Sequence, residues 1–199
     1  LMNLNIDEGA DIEIRSDIPV GAGLGSSAAL AVSVVKAVTS LYDKNLNKEE
    51  INDIAFSIEK YMHGTPSGGD NTTCCYGGLV WFQRTMQGNI IKNLGISKLE
   101  NFFLVYVGRP EKSNGELVQQ VRELEESYRN PKISEISRAS HEMLSALSSN
   151  DTKMIKECIN SAQKNLADLG VSTMAIDDIC KAVRSIGGAA KLCGAGGGG

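Results

Sequence analysis

The stretch Pro19–Ala29 reads P-V-G-A-G-L-G-S-S-A-A, and the rest of the chain is organised around it. Gly21, Gly23 and Gly25 lack Cβ atoms, so the backbone can take positive φ angles there and turn successive N–H groups toward an anion. Ser26 and Ser27 then open an apolar helix whose unpaired first-turn N–H groups carry partial positive charge. Loop and helix start together form a phosphate cradle that takes in Pro19, Gly21, Ala22, Gly23, Leu24, Gly25, Ser26, Ser27 and Ala28. The same residue types also punctuate ordinary helix entries, but three alternate glycines followed by paired serines favour the cradle. It is not a Walker A loop, because no G-K-[ST] ending follows, and the G-x-G-x-G spacing departs from the dinucleotide-binding fingerprint.

Outward from the loop, residues 10–18 alternate Ile12, Ile14 and Ile18 with charged neighbours, the period-2 pattern of a half-buried strand. Ser26–Leu41 is apolar almost all round, which predicts a helix packed on several sides. Asn47 or Asn45 can cap a second helix, whose Ile51, Ile54, Ala55, Ile58, Tyr61 and Met62 follow helical spacing with Glu59 at the stripe's edge. The bend T-P-S-G-G leads to Asp70; Cys74–Phe82 then reads as a β segment, Gln87–Asn89 as a hairpin turn into Ile90–Leu94, and Phe102–Val107 as a central strand. Four helical patterns follow: one opened by the capping box Ser113 and Glu116 and running through Leu124 and Tyr128, then those of Ile133–Leu147, Ile155–Leu169 and Ile176–Ile186. Ala189–Cys193 reads as a returning strand. The expected architecture is α+β in two lobes, with a boundary near Gly95–Gly108.

Composition narrows the function classes. The 199 residues carry a net charge of −4 and only 5% aromatic residues, a poor match to a nucleic-acid surface of basic patches and stacking rings. Five cysteines without C-x-x-C spacing suggest neither a disulfide framework nor a zinc site and fit a reducing cytoplasm. Neither an export signal nor a membrane-spanning run is read, so no membrane partner is expected.

Two further motifs accompany the loop: His63–Asn71, H-G-T-P-S-G-G-D-N, and Lys191–Gly199, K-L-C-G-A-G-G-G-G. The loop resembles the ATP-binding loop of the GHMP kinase superfamily, and the second motif is similar to the H-G-x-P-S-G-x-D-N segment of its mevalonate kinase branch. The third is similar to the family's last glycine motif. The resemblance implies a two-lobed GHMP kinase fold, with a ribosomal protein S5 domain 2-like N-terminal lobe and a ferredoxin-like helical C-terminal lobe. Residues 1–95 would belong to the ATP-binding domain and 96–199 to the C-terminal domain. Because no P-G-K-type motif precedes the loop and the chain stops within a glycine motif, a fragment incomplete at both ends is expected.

The same resemblance distributes roles. ATP and Mg²⁺ are the implied cofactors, with Ser27 and Glu59 as metal ligands and Asp70 as the base for the acceptor hydroxyl. His63 is placed toward the substrate, and Gly194, Ala195 and Gly196 close the cleft. Read as residues alone, Glu59 is a solvated helix-face carboxylate and Asp70 a turn former presented from a tight corner. His63 is equally well a structural histidine. The catalytic lysine partner would lie outside this chain. Gly69 stands where mevalonate kinases commonly carry Ile or Val, and T-T-C-C-Y-G-G replaces the more familiar A-V-S-T-Y-G-G. The implied activity is ATP-dependent phosphorylation of mevalonate to 5-phosphomevalonate in isoprenoid biosynthesis by a homodimer. The alternatives are a phosphomevalonate, homoserine or sugar kinase, or a catalytically incomplete nucleotide-binding fragment.

Overall fold

The structure, a computed structural model, describes residues 9–19, 22–63, 66–97 and 99–198. The described residues divide into two compact units, one drawn from Leu1–Ile18 and Gly25–Leu104, the other from Pro19–Leu24 and Val105–Gly199.

In the first unit, α1 (Ser26–Leu41) packs on α2 (Lys48–His63) and α3 (Gly69–Tyr76), and a hairpin of β1 (Val80–Thr85) and β2 (Gly88–Asn93) follows. Ala31, Val32 and Val35 of α1, Ile51 and Ala55 of α2 and Cys75 of α3 form its core. Each buried branched side chain there contributes about 1.5–3 kcal/mol. Asn47 caps α2 reciprocally: its Oδ1 accepts from Glu50 N at 2.9 Å, and Glu50 Oε2 accepts from Asn47 N at 2.8 Å. The strands pair antiparallel with Thr85 opposite Gly88, so the turn falls on Met86 and Gln87 and not on Gln87–Asn89, whose last two residues belong to β2.

In the second unit, α4 (Asn114–Glu123) begins at the expected capping box, in which Ser113 Oγ accepts from Glu116 N and Glu116 Oε2 from Ser113 N. The long α5 (Glu126–Ser149) packs along α6 (Thr152–Asp168), and α7 (Met174–Ser185) follows. Leu117, Val171, Ile176, Cys180 and Leu192 make a second core.

Several sequence expectations give way here. Cys74–Tyr76 ends a helix and does not begin a strand. The hydroxyls of Thr72 and Thr73 bond back to the carbonyls of Gly68 and Gly69, holding two β-branched residues in the helix. Asp70 therefore sits in a helical first turn and not on an isolated corner. Residues 10–18 and Phe102–Val107 form no strand, and Ile12, Ile14 and Phe102–Tyr106 are exposed, Phe103 at 87%. Apolar alternation yields a strand only where another strand takes up its N–H and C=O groups, and among the described residues β1 and β2 pair only with each other. Ala189–Cys193 is likewise not a strand, since the Gln163 side chain, not a neighbouring strand, takes the Leu192 N–H at 2.8 Å. Tyr128 belongs to α5 and not α4; the break falls at Leu124–Glu125, where Arg129 Nη1 reaches back to the Arg122 carbonyl at 2.7 Å. On α1, Leu30 and Leu41 are exposed, so its apolar surface is covered on one side, and Tyr61 and Met62 in the last turn of α2 face outward.

Candidate active site

The first unit brings three helices to one polar corner. Gly25 is the N-cap of α1 with φ 66° and brings no capping side chain of its own, and the first turn of a helix carries N–H groups that suit an anion. Ser27 stands in that turn, and its Oγ donates to Glu59 Oε1 at 2.6 Å. Glu59 is only 6% exposed, which overturns the solvated-face reading and leaves a carboxylate buried on α2 beside the helix start. Asp70 reaches the same corner from α3: a Cβ on Gly25 would lie 3.7 Å from Asp70 Cβ and 3.9 Å from its Cγ. The left-handed conformation of Gly25 turns the chain into α1, and Asp70 packs against it at ordinary contact distance. An aspartate in the first turn of α3 also lies at the favourable end of the helix dipole.

Cys74, one turn beyond Asp70, records the electrostatics. Burial is the main cause raising its thiol above the ordinary value, with Asp70 next and Glu59 after it. Two carboxylates thus share this neighbourhood, one exposed and one buried, beside a serine hydroxyl. A hydroxyl and a carboxylate are hard oxygen donors of the kind Mg²⁺ takes when phosphate oxygens and water complete its shell, so the pair fits such an ion. Among the described residues there is no cluster of three or more His, Cys, Asp or Glu for an all-protein metal site.

The second unit holds Gly23 of the loop and the C-terminal glycine motif. A Cβ on Gly194 would lie 3.2 Å from the Gly23 carbonyl oxygen, so Ala22–Leu24 and the C-terminal glycine motif are neighbours within this unit. Gly196, with φ 91°, passes so close to Val171 that a Cβ would overlap its carbonyl oxygen, and Gly197 N donates to that oxygen at 2.8 Å. Val20, Gly21, Gly64 and Thr65 lie outside the described residues, as does the side chain of His63, the last residue of α2. His141 lies on α5, its Nδ1 at 2.9 Å from the Ser137 carbonyl, as a structural histidine would. All five cysteines are free thiols.

Comparison with known proteins bears on this arrangement. Residues 1–78 match the family model for the GHMP kinases N terminal domain, and residues 143–199 match that for GHMP kinases C terminal. The chain belongs to the GHMP kinases. Within this superfamily it is 36% identical to the mevalonate kinase of Pyrococcus abyssi over 96% of its length and 31% identical to that of Methanocaldococcus jannaschii over its whole length. It spans 58% and 62% of those two relatives. Among solved GHMP kinases, L. major mevalonate kinase in complex with R-mevalonate superposes with a TM-score of 0.75 at 27% identity, covering 88% of this chain and 55% of that one. The Methanococcus jannaschii mevalonate kinase superposes at 0.74 with 28% identity, covering 93% and 57%.

Sequence reasoning overlooked three residues at this GHMP kinase corner. Asn52 draws no notice in the sequence, and Asn71 and Thr72 stand in the quoted motifs without a role; all three are buried. A signal existed: Asn52 interrupts the Ile51–Ala55 stripe and lies seven residues, about two helical turns, before Glu59.

Proposed function

We propose that the protein of which this chain is part is a mevalonate kinase, transferring the γ-phosphoryl group of ATP to the 5-hydroxyl of mevalonate. The observation that carries the reading is the Ser27–Glu59 pair at 2.6 Å, set at the start of α1 with Asp70 packed against Gly25. Phosphoryl transfer to an alcohol needs phosphate charge neutralised, a metal positioned and the hydroxyl proton received, and this corner supplies a group for each. The first-turn amides of α1 bind phosphate oxygens, and Ser27 and Glu59 hold Mg²⁺. When bound, Mg²⁺ offsets negative charge on the phosphates. Asp70 is the base that orients the acceptor hydroxyl and takes its proton. By the family resemblance, we assign His63, Gly194, Ala195 and Gly196 to the substrate-binding set.

On this reading residues 1–95 are the ATP-binding part and 96–199 the C-terminal part, and the two family matches fall on either side of that division. The partner is a small molecule, and we infer a cytoplasmic homodimer. Among the described residues no helix is long and apolar enough to cross a membrane.

The test is ADP release by the full-length protein with Mg-ATP and mevalonate, phosphomevalonate, homoserine or galactose supplied separately. Turnover with mevalonate alone is expected. Turnover only with another alcohol would keep the kinase and replace the substrate, and none with any would leave nucleotide binding alone.

A further inference from the structure

Resting on the role given above to Asp70, we propose that Asn52 is a positioning residue that fixes the Asp70 turn against the helix carrying Glu59. Among the described residues no hydrogen bond holds the Asp70 carboxylate itself, so its direction is set by the backbone turn that carries it. That turn opens a helix of eight residues, far too short to hold its shape alone. What secures it is a buried polar set. Asn71 Nδ2 donates to Asn52 Oδ1 at 2.7 Å and approaches the Asn52 carbonyl at 3.4 Å. Asn52 Nδ2 donates to Thr72 Oγ1 at 3.2 Å, and Thr72 Oγ1 donates to the Gly68 carbonyl at 2.6 Å.

Asn52, Asn71 and Thr72 are 8%, 2% and 1% exposed. Apolar side chains would press α2 on α3 equally well without the cost of burying amides, but they would not set direction. Paired amides have a narrow range of good geometry. Here the bonds hold the residue next to Asp70 and the Gly68 carbonyl at the N-cap, fixing both sides of the turn. Asn52 also shares its face of α2 with Glu59, about two turns on. One helix face therefore registers the metal-side carboxylate and the turn of the base together.

The experiment uses full-length wild-type protein and the variants Asn52→Ala, Asp70→Asn, the double variant, and Val32→Ala. Val32 is a buried α1 residue outside this corner and serves as a control for destabilisation. Asn52→Ala should lower kcat roughly 10- to 100-fold, the usual effect of a misplaced group, with KM for Mg-ATP changed less than about threefold. Val32→Ala should keep kcat well below its Tm. The double variant should be no slower than Asp70→Asn, because positioning has no effect once the base is gone. Wild-type kcat in Asn52→Ala, or a loss matched by Val32→Ala, would overturn the inference. If Asp70→Asn kept wild-type turnover, the role of Asp70 would fail and the inference with it.

Should the wild type prefer another alcohol, the same variants are compared on that substrate. Should it turn over none, the function reading fails by itself, and hydrogen exchange tests the positioning. The amides of residues 71–73 should exchange faster in Asn52→Ala while those of α1 do not, and unchanged exchange would refute it.

Discussion

The polar corner of the first unit and the glycine segment of the second are built on opposite principles. In the first, side chains do the holding: Glu59, Asn52, Asn71 and Thr72 are all buried and hydrogen-bonded across α1, α2 and α3. In the second, the absence of side chains does it, because Gly194 and Gly196 run where a Cβ would crowd the backbone of Gly23 and Val171. Gln163 is the main polar tie there, its Oε1 taking the Leu192 N–H while its Nε2 donates to Ser172 and Asp177. A corner that presents particular oxygen atoms needs directional partners. A segment that presents backbone amides needs room for the backbone to approach.

The contrast predicts that substitutions in the corner remove chemistry while those in the glycine segment remove stability. The largest effect belongs to Asp70→Asn, expected to lower kcat about 10³-fold, near 4 kcal/mol of transition-state stabilisation, with little change in Tm. Steady-state ADP release beside a melting curve checks it, and a loss explained by unfolding would erase the distinction. Next is Gly196→Ala. Its φ of 91° and the overlap with the Val171 carbonyl should cost about 3 kcal/mol, read as a lower denaturant midpoint, and a neutral result would show that the segment can shift aside. The smallest effect is Gly69→Ala. That residue opens α3 without a positive φ, and a Cβ would meet Phe82 at an ordinary 3.5 Å. A gain of about 0.5–1 kcal/mol is expected. A loss would mean that the glycine is required by its surroundings.

Much of the fold was legible because its signals are local. The cap at Asn47, the capping box of Ser113 and Glu116 and the helical spacing of the second unit all depend on residues a few positions apart. Phe102–Val107 was misread for the opposite reason, since a strand exists only through its neighbours and an apolar run looks the same with or without them. Cys74–Tyr76 reads as extended because it leads into the strand residues Val80–Phe82, yet it forms the last turn of α3. The threonine hydroxyls that bond back along the chain kept the segment helical.

By itself the sequence determined the three motifs, their order and the residue types able to hold phosphate, metal and proton. Those properties belong to side-chain chemistry and to glycine's freedom, and both travel with the residue. Only the tertiary structure decided that Glu59 is buried against Ser27, that Asp70 opens a helix beside Gly25, and that Asn52 and Asn71 join at the back of that turn. Burial and hydrogen-bond partnership are properties of residues far apart in the chain, and they come into being only when α1, α2 and α3 pack.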